Sequence, residues 1–326
     1  MKAIAYEKYG SPEVLHLQEV ENPTVNDDQV LVQVHAASIN AADWHLLTAD
    51  IFLVRLMAGG LLKPKNKILG ADVAGTVEAV GRNVKKFQPG DAVFGDVFGH
   101  GSGSFAEYVS VPASALVLKP KNISFEQAAA VPLAAVTALQ GLRDKGNIES
   151  GQKVLIQGAS GGVGTFAVQI AKSFGAQVTA VCSTRNLEQA RSLGADHVID
   201  YTKEDFTTSG QPYDLILAAN GYHSLADYKR ALTPKGIYVM AGGTFAQMFQ
   251  TLLLGSWMSE RNGKKLTGVS AKTNQKDLLT VKDLVETGKI NPVIDRCYPL
   301  SETAEAFRYF EKVHAKGKVV ITVKQN

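Results

Sequence analysis

Apolar and polar residues alternate in short runs along the first third of the chain. The runs at 2–6, 14–20, 29–37, 72–80, 91–97 and 105–111 are rich in β-branched residues and predict strands. Gly10-Ser11-Pro12 and Asn22-Pro23 mark turns between the first three, and glycines at 70, 75, 81, 90, 95, 99, 101 and 103 punctuate the rest. Short, closely spaced strands with glycine turns predict a small barrel or sandwich rather than a βαβ layer.

The pattern changes near Pro120. Apolar strands at 153–157, 177–182, 197–199, 213–218 and 236–241 then alternate with helical segments at 162–174, 187–193 and 225–232. That alternation is the sequence form of a doubly wound parallel sheet, with right-handed crossovers. After Asn291-Pro292 a helix at 302–310 and a strand at 318–323 are predicted, and this tail is expected to return to the first domain. The expectation is an α/β protein of two domains, 1–122 with 291–326, and 123–290.

Composition narrows the function. The 326 residues are 45% hydrophobic and 20% charged, the proportions of a soluble globular enzyme. A net charge of +3, from 34 basic and 31 acidic residues, gives no reason to expect a nucleic-acid partner. Lys63, Lys65 and Lys67, and Lys264 with Lys265, read as solvated surface. Two cysteines, Cys182 and Cys297, give no disulfide framework and fit a reducing compartment. No apolar run approaches the ~20 residues of a bilayer span, and residues 1–8 contain no signal-peptide core. A cytoplasmic protein without membrane attachment is expected.

The strongest motif runs from Val154 to Gly164, VLIQGASGGVG. A buried strand enters a glycine cluster that opens a helix, the arrangement that brings backbone close to a pyrophosphate and points a helix N-terminus at it. Gly158, Ser160, Gly161, Gly162, Val163 and Gly164 are therefore candidate cofactor-binding residues. The next strand ends in Val181-Cys182-Ser183-Thr184-Arg185. No acidic residue stands there to bind both ribose hydroxyls, as an NAD site prefers. Ser183 and Thr184 offer hydroxyls, and Arg185 suits a 2′-phosphate, so NADP(H) is the expected cofactor.

With these blocks in view, the chain resembles the medium-chain dehydrogenase/reductase superfamily over essentially its whole length. The branch it most resembles is the zinc-free quinone oxidoreductases, with zeta-crystallin-like and plant enone reductase-like members. The resemblance rests on residues 158–164, on Ala171-Lys172-Ser173-Phe174-Gly175-Ala176, and on Leu193 to Tyr201. Gly70 to Val77 and Pro89-Gly90-Asp91-Ala92-Val93 complete it. It implies a GroES-like β-barrel domain from the two chain ends, a doubly wound Rossmann domain between them, and a cleft at their junction. It further implies that Ser183 and Arg185 hold a 2′-phosphate with Tyr201 packed beside it, and that Gly242 and Gly243 lie near the nicotinamide. Lys318, Thr137 and Asn40 complete the candidate cofactor-binding set.

Zinc-containing relatives carry Cys-His-x-Asp where this chain has Asn40-Ala41-Ala42-Asp43, and Gly-His-Glu where it has Gly70-Ala71-Asp72. Both ligand positions named by the resemblance are thus lost, and the stretch after Gly95 lacks the cysteines of a structural zinc lobe. Independently, the histidines at 16, 35, 45, 100, 197, 223 and 314 show no ligand spacing, so no metal is expected.

Without a metal to polarise a carbonyl, conjugated enones and quinones are the feasible hydride acceptors, because conjugation spreads the charge that hydride addition creates. The expected reaction is hydride transfer from NADPH to a small hydrophobic enone or quinone, then protonation from water or a nearby donor. Asn40, Asp43 and His45 are the candidate catalytic residues. Asn40 is read three ways: as an amide donor to the developing enolate, as a hold on the nicotinamide ribose, or as a helix cap. Trp44, His45, Leu46 and Leu47 are expected on one wall of the cleft. The apolar segment 51–57 reads as a lid or as a packed helix, and 245–258 as pocket wall, dimer contact or core. A homodimer through an edge strand at 265–269 is expected from related proteins. Two other functions stay open: an enoyl-thioester reductase, and an NADPH-binding sensor or scaffold without turnover.

Overall fold

The computed structural model describes residues 1–49, 54–55, 60–101, 103–243, 251, 259, 263–313 and 315–324. The segment 51–57 apart from Val54 and Arg55, the segment 245–258 apart from Thr251, and His314 therefore lie outside the described residues. The chain divides into two units: Met1–Leu133 with Thr273–Glu286 and Pro292–Asn326, and Ala134–Lys272 with Thr287–Asn291. These bounds differ from the expected 1–122 with 291–326 and 123–290. One reason is a helix, Gln275–Glu286, that the sequence reading did not pick out. It buries Leu278, Val281 and Val285. The Gln275 amide donates to the Leu116 carbonyl at 2.9 Å, and Asn122 donates to the Val285 carbonyl at 3.1 Å, which ties the helix to the first unit.

The first unit is built on a sheet ordered Ile294–Pro299, Lys318–Thr322, Gln29–Ile39, Asp72–Val80, Ala92–Asp96 and Leu116–Leu118, with Tyr108–Pro112 also paired to Gln29–Ile39. The C-terminal strand Lys318–Thr322 runs antiparallel to Gln29–Ile39, so the tail does return to the N-terminal sheet. Period-two alternation along Gln29–Ile39 buries Val30, Val32 and Val34 in one apolar cluster with Val73, Val93 and Val109. The register slips at His35, where Val34 pairs with Gly75 and Ala36 with Ala74. Beyond the slip, Ala37 and Ile39 join a second cluster with Leu47, Phe105, Phe307 and Ile321. Because these neighbouring strands are antiparallel, one edge gathers the end of Gln29–Ile39, the starts of Asp72–Val80 and Lys318–Thr322, and the end of Ala92–Asp96.

The second unit is a six-stranded parallel sheet ordered His197–Asp200, Gln177–Cys182, Lys153–Gln157, Tyr213–Ala218, Leu232–Met240, Lys265–Gly268. Numbered within the unit this is 3-2-1-4-5-6, the dinucleotide-binding order. Val154, Leu155 and Ile156 are fully buried, which is why the central strand reads as an unbroken apolar run. Strand order reverses between Lys153–Gln157 and Tyr213–Ala218, and ligands of such sheets bind at the carboxyl ends beside that reversal. Among the described residues no helix is long and apolar enough to cross a membrane.

Candidate active site

The loop after Lys153–Gln157 turns sharply. Gly158 has φ +75°, a conformation other residues adopt only with strain, and the N–H groups of Gly158 and Ala159 both donate to the Val181 carbonyl at 3.1 Å. These two groups therefore shape the turn instead of meeting a ligand. Helix Gly162–Ser173 starts directly beneath it. A Cβ on Gly164 would lie 2.0 Å from the Gly158 carbonyl oxygen, so the helix packs on the loop only because this residue is glycine. Gly161 is the opposite case: its Cβ would meet nothing nearer than 3.6 Å. Ser160, Gly161, Gly162 and Val163 are half-buried around that open space, and the first helical turn leaves N–H groups without helical acceptors. The loop fits a diphosphate.

The adjoining strand ends present the ribose-side candidates. Ser183 is half-buried, while Thr184 and Arg185 are exposed on the short turn Thr184–Asn186. A carboxylate does reach this place, from the neighbouring strand: Asp200 pairs in register with Cys182 and accepts the Thr184 hydroxyl at 2.5 Å. The sequence reading looked for an acid only at the end of Gln177–Cys182 and so missed it. Tyr201 follows, its ring 5.9 Å from that of Tyr222, and both are about half exposed. Gly242 closes the next strand end. Its Cβ would lie 2.3 Å from the Ala219 carbonyl oxygen, and Gly243 bridges to Gly221. Thr137 is buried on helix Pro132–Gln140.

Asn40, Asp43, His45 and Lys318 belong to the first unit, where the edge described above forms a buried polar cluster. Asp72 Oδ2 accepts from Ser38 at 2.6 Å, from the Asn40 amide at 2.9 Å and from the Lys318 ammonium at 3.3 Å. Asp72 Oδ1 accepts the Leu133 N–H at 2.9 Å. Lys318 also donates to Asn40 Oδ1. The amide of Asn40 has one workable orientation, since the flipped one would set its NH2 against an ammonium and its oxygen against a carboxylate. Its second N–H goes to the Ser38 carbonyl at 3.3 Å. Both Asn40 donors are thus engaged inside the cluster. Lys318, 3% exposed, carries three N–H bonds and uses two here.

Asp43 is fully buried, and its two oxygens accept the backbone N–H groups of Asn40 at 2.9 Å and Gly70 at 3.0 Å. Burial pushes its carboxyl up to about 7, with the Asp72 charge adding to the effect against those N–H groups and Lys318. Asp96 pairs in register with Asp72 and accepts the Thr273 hydroxyl; burial, then the Asp72 charge, raise it to about 6. Asp43 is a positioning residue for the start of helix Ala41–Thr48. His45 is half-buried in that helix. Of the expected cleft wall at 44–47, Leu47 is fully buried in the apolar cluster, while Trp44 is half-buried and stacks on Phe307 with centroids 6.4 Å apart. Among the described residues no group of three or more His, Cys, Asp or Glu is arranged to hold a metal ion.

Comparison with known proteins agrees with both halves. Residues 26–121 match the alcohol dehydrogenase GroES-like domain, and residues 193–321 match a zinc-binding dehydrogenase domain. The chain is 38% identical to a 2-methylene-furan-3-one reductase of Solanum lycopersicum, covering 98% of this chain and 79% of that protein. It is 36% identical to the mitochondrial NAD(P)H oxidoreductase RTN4IP1 of Mus musculus, covering 99% and 89%. The solved quinone oxidoreductase of Coxiella burnetii superposes with a TM-score of 0.87 at 30% identity, covering 99% of each chain. With a dinucleotide-binding sheet, a GroES-like partner domain and relatives matched end to end, the chain belongs to the medium-chain dehydrogenase/reductase superfamily, in its quinone oxidoreductase-like branch.

Proposed function

We propose that this protein is an NADPH-preferring reductase of conjugated enones and quinones that works without a metal. The observation that carries the reading is the cluster around Asp72. At the positions where zinc relatives hold their metal, this chain has an amide committed to its neighbours and an alanine, and a buried ammonium supplies the positive charge. A bound nicotinamide supplies the hydride. The chain's own work is to hold the diphosphate at 160–163, to meet the 2′-phosphate with Ser183 and Arg185, and, within the first unit, to keep a positive charge and one uncommitted N–H on Lys318 beside Asp72 and Asn40. A single ammonium stabilises less charge than a divalent ion, which restricts turnover to acceptors whose conjugation delocalises it.

Related reductases named for furanone, NAD(P)H and quinone substrates support this substrate class. Strand Lys265–Gly268 is a sheet edge among the described residues, which supports pairing with a second copy. The sparse, unpaired cysteines suit a reducing compartment such as the cytoplasm. The reading is tested by NADPH oxidation with chelator-treated protein on short enones, 1,2-naphthoquinone, a saturated ketone and a 2-enoyl-CoA. Turnover of enones and the quinone, with little on the saturated ketone, is expected. Turnover of the thioester alone, or saturable NADPH binding without oxidation of any acceptor, contradicts the proposal.

A further inference from the structure

Ser183, Thr184 and Arg185 are not equivalent as ligands for an adenosine ribose. A threonine hydroxyl has one proton and two lone pairs, and a carboxylate only accepts. With Thr184 Oγ1 2.5 Å from Asp200 Oδ2, the hydroxyl proton is committed to Asp200; Thr202 Oγ1 lies 3.3 Å away with its own proton directed at Asp200 at 2.7 Å, so Thr184 is left to present lone pairs. Asp200 is firmly held in this role. Its other oxygen accepts the Thr202 hydroxyl at 2.7 Å and the Thr202 N–H at 3.1 Å, and Lys203 lies 3.6 Å from Oδ2. The Thr184 hydroxyl is the largest influence keeping the Asp200 carboxyl down at about 2, so it is anionic at neutral pH. Ser183 is set the other way. Its oxygen accepts from the buried Asn186 amide at 3.3 Å, which leaves its own proton to donate.

The corner therefore combines two donors suited to a phosphate, Ser183 and Arg185, with one hydroxyl that presents lone pairs beside a fixed negative charge. Lone pairs oppose a phosphate oxygen and welcome a sugar O–H.

We infer that Asp200 is a specificity-determining residue: by fixing Thr184 as an acceptor it curbs, without abolishing, the preference for a 2′-phosphate and lets the same corner take a free 2′-hydroxyl, so NADH is bound too, more weakly than NADPH. The inference rests on the placement of the adenosine ribose at 183–185 adopted above.

The test is direct binding, read by nucleotide fluorescence for NADPH and NADH and by calorimetry for 2′,5′-ADP and 5′-AMP. In Asp200→Asn the Thr202 N–H keeps the amide oxygen, so the amide NH2 faces Thr184 and frees its hydroxyl proton to turn outward. The ratio of Kd for NADH to Kd for NADPH then rises about tenfold, and the AMP pair shifts alike. Thr184→Val leaves the strand carrying Asp200 untouched and weakens NADH several-fold more than NADPH. Arg185→Ala lowers the ratio. If Arg185→Ala lowers it while Asp200→Asn leaves it unchanged or lowers it too, the role of Asp200 is overturned and the ribose placement stands. If Arg185→Ala leaves the ratio unchanged, the placement itself fails, and the inference with it.

Discussion

Asp43 has every lone pair it needs met by backbone, yet its burial makes charge expensive there. Its folded-state carboxyl titrates near 7 against an unfolded value near 3.8, so the folded chain binds the proton more tightly. Stability from this group is full below about pH 4, declines as pH rises toward 7, and is flat above that; Asp96 acts in the same direction up to about 6. Asp43→Asn removes the titration but sets an NH2 against one of the two N–H donors, costing about 1–3 kcal/mol throughout. Urea unfolding at pH 5 and pH 7.5 is therefore expected to show a smaller difference in the variant than in the parent, by on the order of 2 kcal/mol. An unchanged difference would mean Asp43 is ionised across the range. Asp43 was legible in the sequence because the resemblance sets it at the aspartate of the Cys-His-x-Asp element. The partnership of Asp72 with Lys318 was not, because 246 positions separate them and only strand register brings them together.

At the scale of elements, the strand, loop and helix from Lys153 to Ser173 were readable because each signal is local: an apolar run, a glycine cluster, then an amphipathic repeat. Two of those glycines do different work, and substitution separates them. In Gly164→Ala the new methyl meets backbone of Gly158 and Ala159 at 2.0–2.8 Å, so helix and loop must part. A loss of about 1–3 kcal/mol in stability and weaker NADPH binding are expected. In Gly161→Ala the methyl enters open space, so the melting temperature is kept while NADPH binding falls at least several-fold. Melting curves and fluorescence titrations of the pair check this, and matching losses of stability would refute it. Helix Gln275–Glu286 escaped because its buried apolar stripe of Leu278, Val281 and Val285 is short and blurred by the exposed Leu279 and the buried Asp277. Asp200 escaped for another reason: it arrives from the adjacent strand, a neighbour that sheet order supplies and chain order hides.

For the molecule as a whole, the two large sheets follow from the chain's two periodicities, alternation in the first third and strand–helix repetition after it. The return of the tail depends on Lys318–Thr322 finding the Gln29–Ile39 strand, and that pairing also delivers Lys318 to Asp72 and Asn40. The central claim is that hydride reaches a conjugated carbonyl with an ammonium, not a cation from solution, as the positive charge in that cluster. Its most direct measurement is a single-turnover reaction of NADPH, deuterated at the transferred C4 position, with a short enone on protein shown by elemental analysis to be free of metal. The account predicts deuterium at the β-carbon of the saturated product, at a single-turnover rate that added zinc does not raise. Product without that label, or turnover that returns only when zinc is added, would contradict it.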